Sequence, residues 1–396
     1  MSLITDSQAL ADFCARLSGA PYVTVDTEFL RDTTYWPKLC LVQLGGPVED
    51  GAAPKAPADD DNVAAIDALA DGLDMQPLFD LLRDETVLKV FHSGRQDMEI
   101  FSNLMDGDLP KPIFDTQVSA MVCGFGEQVG YDTLAKKLVG AHIDKSSRFA
   151  DWSKRPLTDK QLNYALSDVT HLRQIYDQLK TQLERTGRAG WLDEEMAILT
   201  DPATYRADPD LAWQRLKTRS SDRKYLAVLR EVAAWREREA QKRNVPRNRV
   251  IRDEQIQDIA AHAPRDQASL ARTRGLGSDF ARGRLGEGVL GAVEKALGQP
   301  KEAWPQPPQK PDIPPGLGPL IELLKVLLKT KCEEHGVAQK LVATSPELEQ
   351  IAADDNANVA ALRGWRLEVF GQDALKLKHG KLALAAEGRG VKLVEM

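Results

Sequence analysis

The sequence predicts an α/β domain, a mixed sheet flanked by helices, followed by all-α helical bundles. Two patterns predict it: strand and helix signals alternate over residues 1–185, and strand signals cease from about residue 210 onward. A third feature, the stretch GQPKEAWPQPPQKPDIPPGLGP, has the composition of a semi-rigid spacer and separates two helical regions. The chain has 396 residues, and single cores stop growing near about 250–300, so two or three domains are expected.

PYVTVDTEF and KLCLVQLG read as strands, rich in β-branched and apolar residues and joined by a short polar connection. NVAAIDAL is a weaker third strand. GGPVEDGAAPKAPADDD, between the second and third, has no periodicity and reads as an exposed, mobile loop without chemistry. MQPLFDLLRDE is amphipathic, TVLKVFH is strand-like, RQDMEIFSNLM carries apolar residues at helical spacing, and PIFDT is a further strand. QVSAMVCGFG, YDTLAKKLVG and TDKQLNYALSDVTHLRQIYDQLKTQLERTG follow as helices, the last opened by a capping box at Thr158 and Gln161.

Composition narrows the chemistry. With 42% hydrophobic and 28% charged residues the chain is globular rather than disordered. No apolar run reaches the roughly 18–20 residues that span a bilayer, and no targeting pattern opens the chain, so a cytoplasmic protein is expected. Cys14, Cys40, Cys123 and Cys332 form no CxxC pair and are expected as packing residues. The six histidines show no paired metal spacing, so any metal must be held by carboxylates. The net charge of −7 conceals a lopsided distribution: residues 45–74 hold eight acids and one base, whereas 214–252 hold thirteen bases and four acids.

Asp26 and Glu28 lie two apart in VTVDTEF, and side chains alternate along a strand, so both carboxylates project from one face. Anions held this close call for a cation, and a hard divalent ion with oxygen ligands suits them. Asp97, in VFHSGRQDMEIF, falls in the first turn of a helix, where the helix dipole favours a carboxylate even without metal. Tyr164 and Asp168, in NYALSDV, are four apart and share a helical face. Each of these fragments alone has an ordinary structural explanation.

Taken together, VDTEFLRDTTYWPKLCLVQL, KVFHSGRQDMEIF and NYALSDVTHL resemble the three exonuclease motifs of the DEDD superfamily in its Tyr-containing branch. Within it, FDTQVSA and DWSKRPLTDKQLNYA resemble the ribonuclease D family. The resemblance implies an RNase H-like fold, two divalent ions (Mg2+ or Mn2+), and release of nucleoside 5′-monophosphates from RNA 3′ ends. It implies that Asp26 bridges both ions, that Glu28 and Asp168 complete the first site, and that Asp97 helps hold the second. Tyr164 would orient the attacking water, since a phenol with a reference pKa near about 10 is a poor base at neutral pH. Glu28 is also a candidate for touching the terminal 3′-hydroxyl. His92 and Gln96 are candidates for lining the RNA path, Phe29 and Tyr35 for stacking on a terminal base, and Arg31 and Lys38 for meeting phosphate.

LAWQRLKTRS, KYLAVLREVAAWREREAQKRNVPRNRVIRDEQIQDIA and ASLARTRGLG resemble the HRDC domain, a helical nucleic-acid-binding accessory, and the local density of bases favours RNA contact there. GVAQKLVATSPELEQIA with ALRGWRLEVFG resembles a second, diverged HRDC-type region, with Trp365 and Phe370 expected in its core. The expected division is an exonuclease domain at 1–185, a connector at 186–209, an HRDC domain at 210–298, a Pro-rich linker at 299–316 and the diverged helical domain at 317–396. The expected partner is RNA, above all transfer RNA precursors with 3′ extensions, acted on by a monomer. A DNA 3′→5′ exonuclease uses the same four carboxylates and is the competing enzyme reading. A non-catalytic RNA-binding scaffold is the third.

Overall fold

The computed structural model describes residues 3–48, 60–218, 220–307 and 314–396. Most of the acidic stretch read as a loop, and part of the Pro-rich spacer, lie outside them. The described residues divide into two compact units. One holds residues 1–28, 40–204 and 311–396; the other holds 29–39 and 205–310.

In the first unit, six strands form a mixed sheet: β1 (Leu3–Ile4), β2 (Tyr22–Leu30), β3 (Lys38–Gly45), β4 (Val63–Ile66), β5 (Leu88–Phe91) and β6 (Ile113–Asp115), in the order β1-β4-β3-β2-β5-β6. β1 runs parallel to β4, β4 antiparallel to β3, and β5 parallel to both β2 and β6. The central strands are buried on both faces, which is why VAAI and LKVF read as short apolar runs without alternation. The expected strands all form; β1 and the helix after it, α1 (Ser7–Leu17), carried no sequence assignment.

Helices α2 (Gln76–Arg83), α3 (Arg95–Leu104), α4 (Thr116–Val122), α5 (Tyr131–Val139) and α6 (Asp159–Thr186) flank the sheet. The 28-residue α6 opens at the expected capping box, where the Gln161 N–H donates to Thr158 Oγ1 at 3.2 Å and the Thr158 N–H donates to Gln161 Oε1 at 3.1 Å. It is fastened to the sheet one residue beyond Asp168: the Thr24 hydroxyl lies 2.9 Å from the Val169 carbonyl and 3.1 Å from that of Gly45. A Cβ on Gly45 would stand 2.6 Å from Thr24 Oγ1, so only glycine permits this approach.

Residues 317–396 belong to this unit too. Leu324, Leu327, Leu341, Ile351 and Phe370 share one core with Met121, Val122 and Leu183 from the N-terminal part of the unit. Trp365 is half-buried and stacks on Trp191 with centroids 4.2 Å apart. The buried Arg366 guanidinium donates to Glu194 and, at 3.0 Å, to Glu195. This region was expected to be wholly helical and is not: β7 (Leu382–Glu387) and β8 (Gly390–Glu395) form an antiparallel hairpin. Its signal was present in the sequence: two short apolar-rich runs, LALAAE and VKLVE, flank a glycine turn with Gly388 at φ +60°.

The second unit has a core of its own, built from helices Arg223–Arg243, Asp253–His262 and Arg284–Gly298 around Leu226, Val232, Ile256, Ile259, Val289 and Val293. The four cysteines are all reduced, three of them buried and Cys123 half-buried, in keeping with packing roles.

Candidate active site

β2 delivers Asp26 and Glu28 from one strand face, and α6 brings Asp168 against them. One ligand oxygen from each of the three lies within 4.8 Å of the others. Asp97 stands outside this trio. It sits in the first turn of α3, and its carboxylate accepts the hydroxyl of Thr27, the residue between Asp26 and Glu28.

Burial and mutual repulsion push these carboxyls up together. Asp26 is raised well above its ordinary value, first by burial and then by Asp168. Glu28 is pushed up to about 10 by burial and by Asp26, Asp168 and Asp97. Asp97 is raised by burial and Asp26, against the opposing pull of Thr27. Asp168 rises to about 7 by burial, with the Tyr164 hydroxyl acting in the other direction. Three oxygen donors at this spacing, each resisting ionisation without a counter-charge, fit a hard divalent cation.

Tyr164 lies one helical turn before Asp168, and burial together with Asp168, Glu28 and Asp26 holds its phenol above the ordinary tyrosine value. It stays protonated at neutral pH and can donate a hydrogen bond but cannot serve as a base. A cavity of about 300 Å³ opens beside these groups, lined by Asp26, Tyr164 and Asp168 together with His92, Lys145 and Arg148.

The remaining candidates separate. His92 lines the cavity and is fixed through Nδ1, 3.0 Å from Thr116 Oγ1. Gln96 is exposed on α3, Phe29 is half-buried, and Arg31 and Lys38 are exposed. Tyr35 is not a stacking platform. It is 8% exposed, and its hydroxyl meets Glu237 while accepting from Arg247 at 3.0 Å and Gln241 at 3.1 Å. Its place is inside the second unit, with Ala240 and Val250.

Two supporting residues escaped the sequence reading. Asp115 accepts four backbone N–H groups, from Ser93 (3.1 Å), Gly94 (2.8 Å), Gln117 (2.8 Å) and Val118 (3.3 Å), and so fixes the loop that launches Asp97. Ser93 is held there at φ +59°, and a Cβ on Gly94 would stand 2.7 Å from Phe91. The half-buried Tyr131 donates its hydroxyl to the backbone carbonyl of Asp168, bracing α6 where that carboxylate must point. Neither was singled out as a site residue, although Asp115 lies in the FDTQVSA segment and holds the N-cap position before α4.

The basic run of residues 214–252 is less available than its density implied. Arg236 pairs with Asp253, Arg247 with Glu237, and Arg230 with Glu231, while Arg223 donates to the Lys301 and Trp304 carbonyls. Lys217, Lys224, Lys242, Arg249 and Arg252 are exposed.

A mixed sheet presenting three converging carboxylates, with a fourth at a helix start and a tyrosine one turn from the last, defines a carboxylate-dependent nuclease. The family model described as a 3'-5' exonuclease matches residues 1–184, and that of the HRDC domain matches residues 225–293. Across its length the chain is similar to the ribonuclease D of Granulibacter bethesdensis, 51% identical over 99% of this chain and 96% of that relative. It is 50% identical to the ribonuclease D of Nitrobacter hamburgensis over 99% of both. The crystal structure of Escherichia coli RNase D, an exoribonuclease involved in structured RNA processing, is 30% identical and superposes with a TM-score of 0.79, covering 96% of this chain and 98% of that one. The chain belongs to the ribonuclease D family.

Proposed function

We propose that this ribonuclease D family member, a 3′→5′ exoribonuclease, trims transfer RNA precursors with 3′ extensions at the Asp26, Glu28, Asp97 and Asp168 cluster, releasing nucleoside 5′-monophosphates. The observation that carries this reading is the convergence of Asp26, Glu28 and Asp168 oxygens within 4.8 Å, beside a cavity that also presents Lys145 and Arg148 to a polyanion. The donor set fits Mg2+ or Mn2+. Asp26 would be shared by two such ions, Glu28 and Asp168 would complete one site, and Asp97 would serve the other. When bound, the ions acidify water and neutralise charge on the attacking and leaving oxygens.

The chain's own groups supply the rest. Tyr164 donates its phenolic proton and orients the nucleophile. Glu28 accepts from the terminal 3′-hydroxyl. His92 packs as part of the wall along which the terminal nucleotide lies, and exposed bases of the HRDC domain such as Lys242 and Arg249 hold the body of the RNA by its phosphates. We take the enzyme to act as a cytoplasmic monomer; among the described residues no helix is long and apolar enough to cross a membrane.

The test is a time course on a 3′-extended transfer RNA precursor with and without Mg2+, the released products being identified. Stepwise shortening with 5′-monophosphate release is expected. Side-by-side degradation of matched RNA and DNA oligonucleotides checks the substrate class, and preference for DNA would overturn it.

A further inference from the structure

Between α5 and α6 the chain passes the catalytic cavity as Lys145, Ser146, Ser147, Arg148 and Phe149. Lys145 and Arg148 line the cavity itself. Phe149 is 91% exposed, more than any other large apolar side chain among the described residues; Met396, at 80%, comes next. Its neighbours are not loose: Ser147 and Trp152 are buried, and the Ala150 N–H donates to the Ser147 carbonyl at 3.0 Å. The ring is therefore presented from an anchored backbone. The Arg148 guanidinium lies 5.4 Å from the ring centroid, so one residue both borders the catalytic cavity and covers one side of the exposed ring.

A solitary exposed phenyl offers far too little area for a protein interface. One ring face is, however, what a single nucleobase needs, and base-on-aromatic stacking beside a cationic groove is how single strands are held without sequence preference. Lys145 is drawn to Asp132 at 2.7 Å, which leaves Arg148 as the cation between cavity and ring.

We propose that Phe149 is a stacking platform for a base of the RNA strand upstream of the nucleotide being released, and that Arg148 meets the phosphate between that base and the cavity. This assignment rests on the exoribonuclease reading. It gives the enzyme a grip on an unpaired 3′ tail: a base locked in a duplex cannot offer its face, so trimming slows where the tail meets a stem.

The experiment compares wild type with Phe149→Ala, Phe149→Leu and Phe149→Trp on a single-stranded RNA oligonucleotide with Mg2+, and on a series in which one upstream nucleotide at a time is abasic. Stacking of this kind is worth about 1–3 kcal/mol, so Phe149→Ala is expected to raise KM about 5- to 150-fold, with the loss falling on KM rather than kcat. Phe149→Trp restores it and Phe149→Leu does not. One abasic position should slow wild type by the same factor and cost Phe149→Ala nothing further. Equal sensitivity of wild type and Phe149→Ala at every abasic position, or full rescue by leucine, overturns the platform. Melting temperatures identify any variant that is misfolded, and for such a variant the abasic series on wild type decides: no sensitive upstream position overturns the proposal. Wild type that releases no nucleotide from RNA overturns the exoribonuclease reading itself, an outcome distinct from the others.

Discussion

The two units bury carboxylates in opposite ways. In the first, Asp26, Glu28, Asp97 and Asp168 crowd together and rise in pKa. In the second, burial also raises Glu237, but hydrogen bonds from Arg247 and Tyr35 outweigh it and the net shift is downward. Glu231 is likewise lowered on balance by Lys295 and Gln299. One cluster is complete with its own cations; the other is complete only with cations from outside. Buried acids mark a site when their counter-charge is missing, and mark architecture when it is supplied.

The largest expected effect comes from breaking the incomplete cluster. Asp26→Asn should abolish metal-dependent nucleotide release, a loss beyond the roughly 10–100-fold that outer-shell changes cause, while leaving RNA binding largely intact by filter binding. Unchanged turnover would remove Asp26 from the site. Next, Tyr164→Phe should lower kcat by about 10- to 100-fold, below the full range for general acid–base groups. The pH–rate profile should keep its shape, because the phenol does not titrate in the working range.

The pH dependence of stability should differ in sign between the clusters. In metal-free protein the folded state binds more protons than the unfolded chain wherever Glu28, at about 10, and Asp168, at about 7, lie above their ordinary values. Stability therefore falls as pH rises from about 5 to 9. Glu237 works oppositely, its contribution being present above its unfolded pKa and lost as pH falls through the lowered folded value. Thermal melts in EDTA across that range should decline for wild type and decline less for Asp26→Asn, and adding Mg2+ should recover the high-pH loss. A flat wild-type profile would contradict the raised values.

The smallest effect is expected from Glu237→Gln. Glu237 is buried, but the Arg247 side chain is 40% exposed, so solvent screening reduces the cost to about 1–2 kcal/mol. Denaturant unfolding measures it, and the nucleolytic rate on a short oligonucleotide gives the contrast with Asp26.

The strand-and-helix order of the catalytic domain was legible because its elements carry local signals: β-branched runs, a capping box, and the two spacings Asp-x-Glu and Tyr-x-x-x-Asp. What joins them was not. Asp115 reaches back 22 residues to Ser93, and Tyr131 reaches forward 37 to Asp168; no local period encodes either contact. The basic run misled for a related reason. Arg236 and Arg238 find Asp253 and Asp210, which lie just outside the basic run at 214–252. Tyr35 looked like a surface aromatic of the first motif, but its partners lie more than 200 residues away.

The shared core of Met121, Val122 and Leu183 with Leu324 and Phe370 bears on how such a protein can be cut and recombined. A fragment ending near residue 185 would carry all four clustered carboxylates and yet present bare leucine-sized sockets to water. The second unit has a core of its own, yet it draws on residues 29–39 as well as 205–310, whereas the first is completed only by the final segment. Lineages that lose the final segment must therefore repaint that apolar surface with polar residues or cover it with another chain.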